Sequence, residues 1–164
     1  MTFFSSSSSS SFLVRTTALA AFWLTTLAAP AWADDHGPRV PLLAAYKSEC
    51  SSCHVAYPVG LLPAASWQRL MSHLPKHFGT DASLDAATTK QISDWLMANG
   101  GGRRAAEAPP EDRITKGRWF IREHDEVAAD VWKRPAIKSA ANCAACHTQA
   151  AEGSFRERDI RIPK

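Results

Sequence analysis

Apolar residues recur at helical spacing in four stretches of the chain, and prolines and glycines separate those stretches. Leu42 to Cys50 (Leu-Leu-Ala-Ala-Tyr-Lys-Ser-Glu-Cys) carries a short helical pattern. Trp67, Leu70, Met71 and Leu74 share one face of a helix over Trp67–Leu74, with Ser66 as its N-cap and Pro75 as its stop. Leu84, Ile92, Trp95 and Leu96 form a stripe on a longer helix that Ser83 caps; it runs through Asn99 to a stop at Gly100. Thr115 to His124 reads as one short helix despite Gly117. Between these lie a loop with two prolines and a glycine after residue 54, and a second loop at His77-Phe78-Gly79. Asp125 to Ala141 gives mixed signals around Pro135, and Glu152–Lys164 is a polar tail. The pattern predicts a mainly α protein.

The first 33 residues stand apart. A serine run, Ser5–Ser11, precedes Arg15, the apolar run Thr17 to Ala29 and a small-x-small site at Ala31-Trp32-Ala33. This is the order of an export signal, with cleavage after Ala33. The apolar run is short for a membrane span and Pro30 follows it, so removal is the expectation rather than anchoring. Residues 34–41 form an irregular lead-in with two prolines. Gly100-Gly101-Gly102, Arg103-Arg104 and Pro109-Pro110 mark the clearest internal boundary. The expected organisation is a signal peptide at 1–33, a first domain at 34–102, a linker at 103–110 and a second domain at 111–164.

Two copies of one motif dominate the chemistry. Cys50-Ser51-Ser52-Cys53-His54 and Cys143-Ala144-Ala145-Cys146-His147 both read Cys-x-x-Cys-His, and together they use all four cysteines of the chain. This is the attachment site of a c-type haem. The thiols of Cys50 and Cys53, and of Cys143 and Cys146, add across the porphyrin vinyl groups, and the adjacent His54 and His147 then lie under the iron as proximal ligands. Two disulfides, a thioredoxin-like dithiol or a split zinc site are the competing uses of paired cysteines. No βαβ pattern surrounds either pair, the halves lie far apart for zinc, and none of these uses explains a histidine after both pairs. Export agrees with this reading, because c-type haem is attached outside the bacterial cytoplasm; the expected location is the periplasm.

The charge balance changes little in this picture. The chain has 19 basic and 16 acidic residues. Arg15 leaves with the signal, so the remainder is 18 against 16. Each ferric haem with ionised propionates brings about one negative charge, so the holoprotein is near neutral. Basic residues are scattered among acidic ones, and a nucleic-acid partner is not expected. A chain of this size would struggle to build two cores from side chains alone, and two buried porphyrins supply apolar surface.

What lies opposite each proximal histidine decides the function: histidine gives a low-potential closed carrier, methionine a higher potential, and an open site allows ligand binding or catalysis. Outside the motifs the candidates are His36, His73, His77, His124, Met71 and Met97. Small class I cytochromes c run motif, helix, distal-ligand loop, terminal helix, and His77 occupies the loop position, with His73 as its main rival. Met71 and Met97 fit core packing on their helices, and His36 lies in the lead-in. The tail after His147 contains no histidine or methionine, so the second distal ligand must come from upstream. His124 is the free histidine of that half, preceded by Trp119 and Phe120, which are placed to pack on a porphyrin.

Several stretches resemble the dihaem cytochromes c of bacterial periplasms. They are Cys50–Trp67 (Cys-x-x-Cys-His-x-x-Tyr-Pro, then Leu-Leu-Pro-Ala-x-Ser-Trp), His77–Leu84 (His-Phe-Gly-x-Asp-Ala-Ser-Leu), Trp119–His124, and Asn142–Phe155 (Asn-Cys-x-x-Cys-His-x-x-Ala-x-x-Gly-x-Phe). The resemblance implies a class I cytochrome c-like first domain, a smaller and less regular haem-binding second domain, and bis-histidine ligation of both irons. The implied axial pairs are His54 with His77 and His147 with His124. It also implies a redox partner, such as a small oxygen-binding monohaem cytochrome c or a membrane b-type cytochrome. The expected role is an electron carrier with two covalently bound c-type haems and no catalytic residues. The alternative is a small dihaem redox enzyme, or a gas-binding protein with one open iron. On that alternative Glu123, Asp125 and Glu126 beside His124 would be acid–base groups; a solvated charged turn is the simpler reading.

Overall fold

Helices form at all four stretches that the apolar spacing marked, but several of their ends are set by other residues. The computed structural model describes Met1, Thr2 and residues 40–164. The apolar core and cleavage site of the expected signal peptide, and His36, lie outside the described residues. Helix α1 spans Ala44–Cys50 and leads into the first motif. Helix α2 spans Ala64–Met71 and starts after Pro63, not after Ser66. Proline fixes its own φ near the value required there, and Ala64 and Ala65 are strong helix formers, so the helix begins earlier than a serine cap would place it. Ser66 is buried within α2, where its hydroxyl accepts from Arg69 Nη2 at 3.2 Å. The helix also ends at Met71, and Leu74–Lys76 form a separate 3₁₀ turn around Pro75.

Helix α3 spans Ala86–Asn99 and is capped by Asp85, whose Oδ1 accepts from the backbone N–H groups of Ala87 and Thr88 at 2.9 and 3.0 Å. Ser83, the expected cap, is held in a tight turn instead, its hydroxyl donating to Asp81 Oδ1 at 2.5 Å. Gly100 follows α3 with φ −68°, so no left-handed turn demands the glycine. Space does: a Cβ there would stand 2.8 Å from the Leu96 carbonyl oxygen and 2.9 Å from Trp67 Cδ1. Helix α4 is shorter than the pattern suggested, Arg118–Glu123, because Gly117 is extended and acts as its N-cap while Ile114–Lys116 form a 3₁₀ turn.

Helices α2 and α3 pack on each other, and α1 packs on α3. Tyr46, Ala56, Val59, Leu62, Trp67, Ile92 and Leu96 form the buried core they share. Tyr46 lies between Trp67 (ring centres 6.2 Å, near perpendicular) and Trp95 (5.3 Å), and Trp67 Nε1 donates to the Val59 carbonyl at 2.8 Å. Burial of aromatic rings with their polar atoms bonded gives this half a conventional interior. Its elements are the ones the periodic stretches predicted.

The second half is built mainly from 3₁₀ turns, at Val131–Lys133, Cys143–Ala145, Ala150–Glu152 and Glu157–Asp159. Phe120, Val131, Ile137 and Ala150 are its buried apolar residues. The polar tail is not loose. Arg161 N donates to the Cys146 carbonyl and Thr148 Oγ1 to the Asp159 carbonyl, both at 2.8 Å, and Arg134 Nη1 donates to the Pro163 carbonyl at 2.7 Å. The described residues contain helices and turns and no strand, apart from isolated bridges at His77–Thr80 and His147–Ile160.

The segment after the proline pair packs back on the first half. Arg69 holds Asp112 with two bonds of 2.8 and 2.6 Å, Arg113 lies 4.1 Å above the Phe78 ring, and Ile114 packs against the first core. The described residues from Val40 to Lys164 thus belong to one compact unit. No described helix is long and apolar enough to cross a membrane.

Candidate metal centres

Each Cys-x-x-Cys-His motif ends on a histidine that faces a second histidine from elsewhere in the chain. His54 follows the first motif directly. His77 comes from the loop after α2, where Phe78 (φ 50°) and Gly79 (φ 96°) turn the chain back. A left-handed conformation is ordinary for glycine and costly for phenylalanine, so the loop holds a local strain next to the histidine it presents. The His54 and His77 rings are 6.2 Å apart, centre to centre, with 29° between their planes. In the second site His124 closes α4 and His147 follows the second motif; their rings are 6.0 Å apart at 75°.

These separations have a simple meaning. An imidazole nitrogen sits about 2 Å from a bound first-row metal and the ring centre about 1 Å further back, so two rings on opposite sides of one metal stand ~6 Å apart. Direct contact between the rings would bring them closer.

The tautomers fit as well. His54 Nδ1 donates to the Val55 carbonyl at 2.8 Å and His124 Nδ1 to the Phe120 carbonyl at 2.9 Å, which leaves the Nε2 lone pair of each ring free to bind a metal. His77 Nδ1 and His147 Nδ1 are buried without a partner. Burial, then the neighbouring His54 and Arg113, lowers the pKa of His77; burial, then His124, lowers that of His147. Both shifts favour the neutral ring, the form that ligates.

The four cysteines are unpaired thiols. Burial pushes Cys50 and Cys143 up to about 11 and also raises Cys146, the opposite of a reactive redox dithiol. No group of three or more His, Cys, Asp or Glu side chains converges among the described residues, so no zinc cage is assembled there. Two facing imidazoles supply only an axis. A porphyrin brings the remaining four nitrogens, and the free thiols of each motif are available for its vinyl groups, so the residues present fit a covalently attached haem at each site.

The rival residues are placed elsewhere. His73 is exposed in the turn after α2, and its Nδ1 donates back to the Arg69 carbonyl of that helix at 2.9 Å. Met71 packs against the first core, and Met97 is exposed on α3. Trp119 has Arg104 5.1 Å over its ring. The aromatic lining is supplied by Phe120, stacked on His124 at 4.0 Å, by Trp132 at 5.8 Å from His124, and by Phe155 at 5.2 Å from His147. Trp132 lies in a stretch without periodic pattern, and nothing local marked it. Tyr57, stacked on His54 at 4.6 Å and 15°, stands three residues after that histidine, in the Tyr-Pro of the stretch that carries the resemblance.

Comparison with known proteins agrees with the presence of two haems. The family described as dihaem cytochrome c matches residues 46–155. A diheme cytochrome type c from Shewanella baltica OS155 is 38% identical, covering 76% of this chain and 95% of that one, with a TM-score of 0.65. A diheme cytochrome c from Rhodobacter sphaeroides is 45% identical over 71% of this chain and 98% of that one, with a TM-score of 0.62. A further structure of the protein purified from that organism is 46% identical, over 71% and 99%, at 0.61. No curated protein matches the chain. With the family matched over most of its length, the chain belongs to the dihaem cytochromes c and carries two c-type haems.

Proposed function

We propose that this dihaem cytochrome is a periplasmic electron carrier whose irons are both closed by histidine pairs. His54 and His77 hold the first iron, His147 and His124 the second. Cys50 and Cys53 carry the thioethers of the first haem, Cys143 and Cys146 those of the second. When bound, a c-type haem supplies a one-electron couple at its iron, and two imidazoles set that couple low for a cytochrome c. The chain's own residues orient the imidazoles through the Nδ1 bonds of His54 and His124, and burial favours the neutral rings of His77 and His147. The observation that supports this reading is the pair of ring separations, 6.2 and 6.0 Å, each suited to one metal between two imidazoles.

On this reading the signal peptide is cleaved after Ala33, and the two haem-binding halves are 34–102 and 111–164, joined through 103–110. A low-potential carrier acts as reductant of its partner, of which a small oxygen-binding monohaem cytochrome c or a membrane b-type cytochrome is the expected kind. The test is the visible spectrum of the reduced holoprotein before and after carbon monoxide, with a haem count per chain. Two haems and an unmoved spectrum are expected. A shift in half of the signal would show an open iron and turn the reading toward an oxygen- or substrate-reducing enzyme.

A further inference from the structure

Tyr57 touches both haem sites. Its ring stacks on His54 at 4.6 Å with 15° between the planes. Its hydroxyl donates at 2.8 Å to the carbonyl of Ala141, a residue 84 positions away and two before Cys143. Its own backbone is fixed in turn, because the Tyr46 hydroxyl donates to the Tyr57 carbonyl at 2.9 Å from within the first core. At the other end Asn142, between Ala141 and Cys143, is tied through its side-chain amide to the Ile137 carbonyl at 3.1 Å, and Ala141 N to Ser139 Oγ at 3.0 Å. The phenol is thus clamped between a rigid core and a rigid turn. A residue that only filled space beside His54 would need no such bond to the second motif, and a phenylalanine would serve.

From this juxtaposition we propose that Tyr57 couples the two haems: it fixes the second attachment motif against the ligand of the first iron and bridges the two sites for electron transfer. The inference rests on the reading of His54 as a ligand. The path runs from the His54 imidazole to the tyrosine ring, across the hydroxyl to the Ala141 carbonyl, and along two residues of backbone to Cys143. One iron is oxidised as the other is reduced, one electron passes, and no bond forms or breaks. Tyr57 keeps its proton and is itself not oxidised; it is a positioning residue. A hydrogen bond shortens the gap an electron must cross between stacked ring and backbone, and it fixes the gap against thermal motion.

The experiment compares the parent holoprotein with Tyr57→Phe and Tyr57→Leu. It reads haem content, carbon monoxide response, both midpoint potentials, and the rate of exchange between the half-reduced forms by two-dimensional exchange NMR of the haem methyl signals. Tyr57→Phe keeps the stacked ring and loses the bond. It is expected to retain two closed haems and to slow exchange severalfold, with the potential of the His54 haem unmoved. Tyr57→Leu loses the ring as well and is expected to shift that potential too. Exchange as fast in Tyr57→Phe as in the parent would overturn the proposal while leaving the carrier reading intact. Loss of both haems in that variant would make Tyr57 a folding residue and would also overturn it. An open iron in the parent would instead count against the carrier reading itself.

Discussion

The two halves of the chain bring a pair of histidines to nearly the same separation by different means. In the first half a helix pair and seven buried residues form an interior of their own, and His77 is displayed on a loop at its edge. In the second half one helix of six residues and a series of 3₁₀ turns surround His124 and His147 with Phe120, Trp132 and Phe155. Here the aromatic residues touch the two histidines more than they touch each other. The lesson is that a haem site needs an axis and a lining, and either a protein core or the porphyrin itself can hold the surrounding chain in place.

The largest effect expected from breaking this symmetry is at the ligands. His77→Gly should open the first iron and His124→Gly the second, each converting one of the two haems to a carbon monoxide-binding form while the other stays closed. A spectrum that moves by half in both variants supports two independent pairs, and one that does not move assigns the distal ligand to another residue.

Haem removal should separate the halves next. In protein made without haem attachment, amide hydrogens of α2 and α3 are expected to keep part of their exchange protection, because their shared core is made of side chains. Amides from Arg118 to Pro163 are expected to lose theirs, because that lining has nothing to close on. Equal loss across the chain would show that the first core also depends on its porphyrin.

Ile92 and Ile137 allow a finer comparison, since both are 0% exposed. Deleting a buried isoleucine side chain to alanine costs about 2–5 kcal/mol, more where the surroundings cannot relax. Ile92→Ala, between packed helices, should fall in the upper part of that range and Ile137→Ala, among turns, in the lower part. Denaturant midpoints of the two holoproteins measure the order.

The smallest effect concerns the bond that ties the segment after the linker to α2. The hydrogen bond from Arg69 is the main cause that lowers the pKa of Asp112. A carboxylate whose native pKa lies below its unfolded value stabilises the fold above the unfolded pKa and loses that contribution as pH falls through the native one. Asp112→Asn should therefore reduce stability at neutral pH, and the difference from the parent should vanish on acidification. The side chain of Arg69 is 51% exposed, so the effect is modest and sensitive to salt. Urea titrations across the acid range would show a constant difference if the pair were irrelevant.

Much of the site was legible because its chemistry is written in short motifs. Cys-x-x-Cys-His fixes its residues by sequence spacing alone, and the order of helix, loop and helix pointed to the loop that carries His77. Helix ends were harder. Ser66 and Ser83 are good caps in isolation, but Pro63 starts α2 earlier and Asp81 engages the Ser83 hydroxyl, leaving Asp85 to cap α3. Such competition between neighbouring side chains is decided by geometry that a residue type does not specify. The second half was least legible. Trp132, the tail bonds of Arg161 and Thr148, and the span from Tyr57 to Ala141 join residues distant in sequence, with no period to betray them.

That last span has a consequence for the order of assembly. Bringing Tyr57 to Ala141 closes a loop of 84 residues, and the entropy lost in closure must be met before the contact can form. The α2–α3 hairpin closes a much shorter loop and gains its buried core at once, so it is the natural nucleus. The first half then serves as a template on which the last third of the chain is arranged, and a slow step in refolding is expected where the second motif docks against the tyrosine.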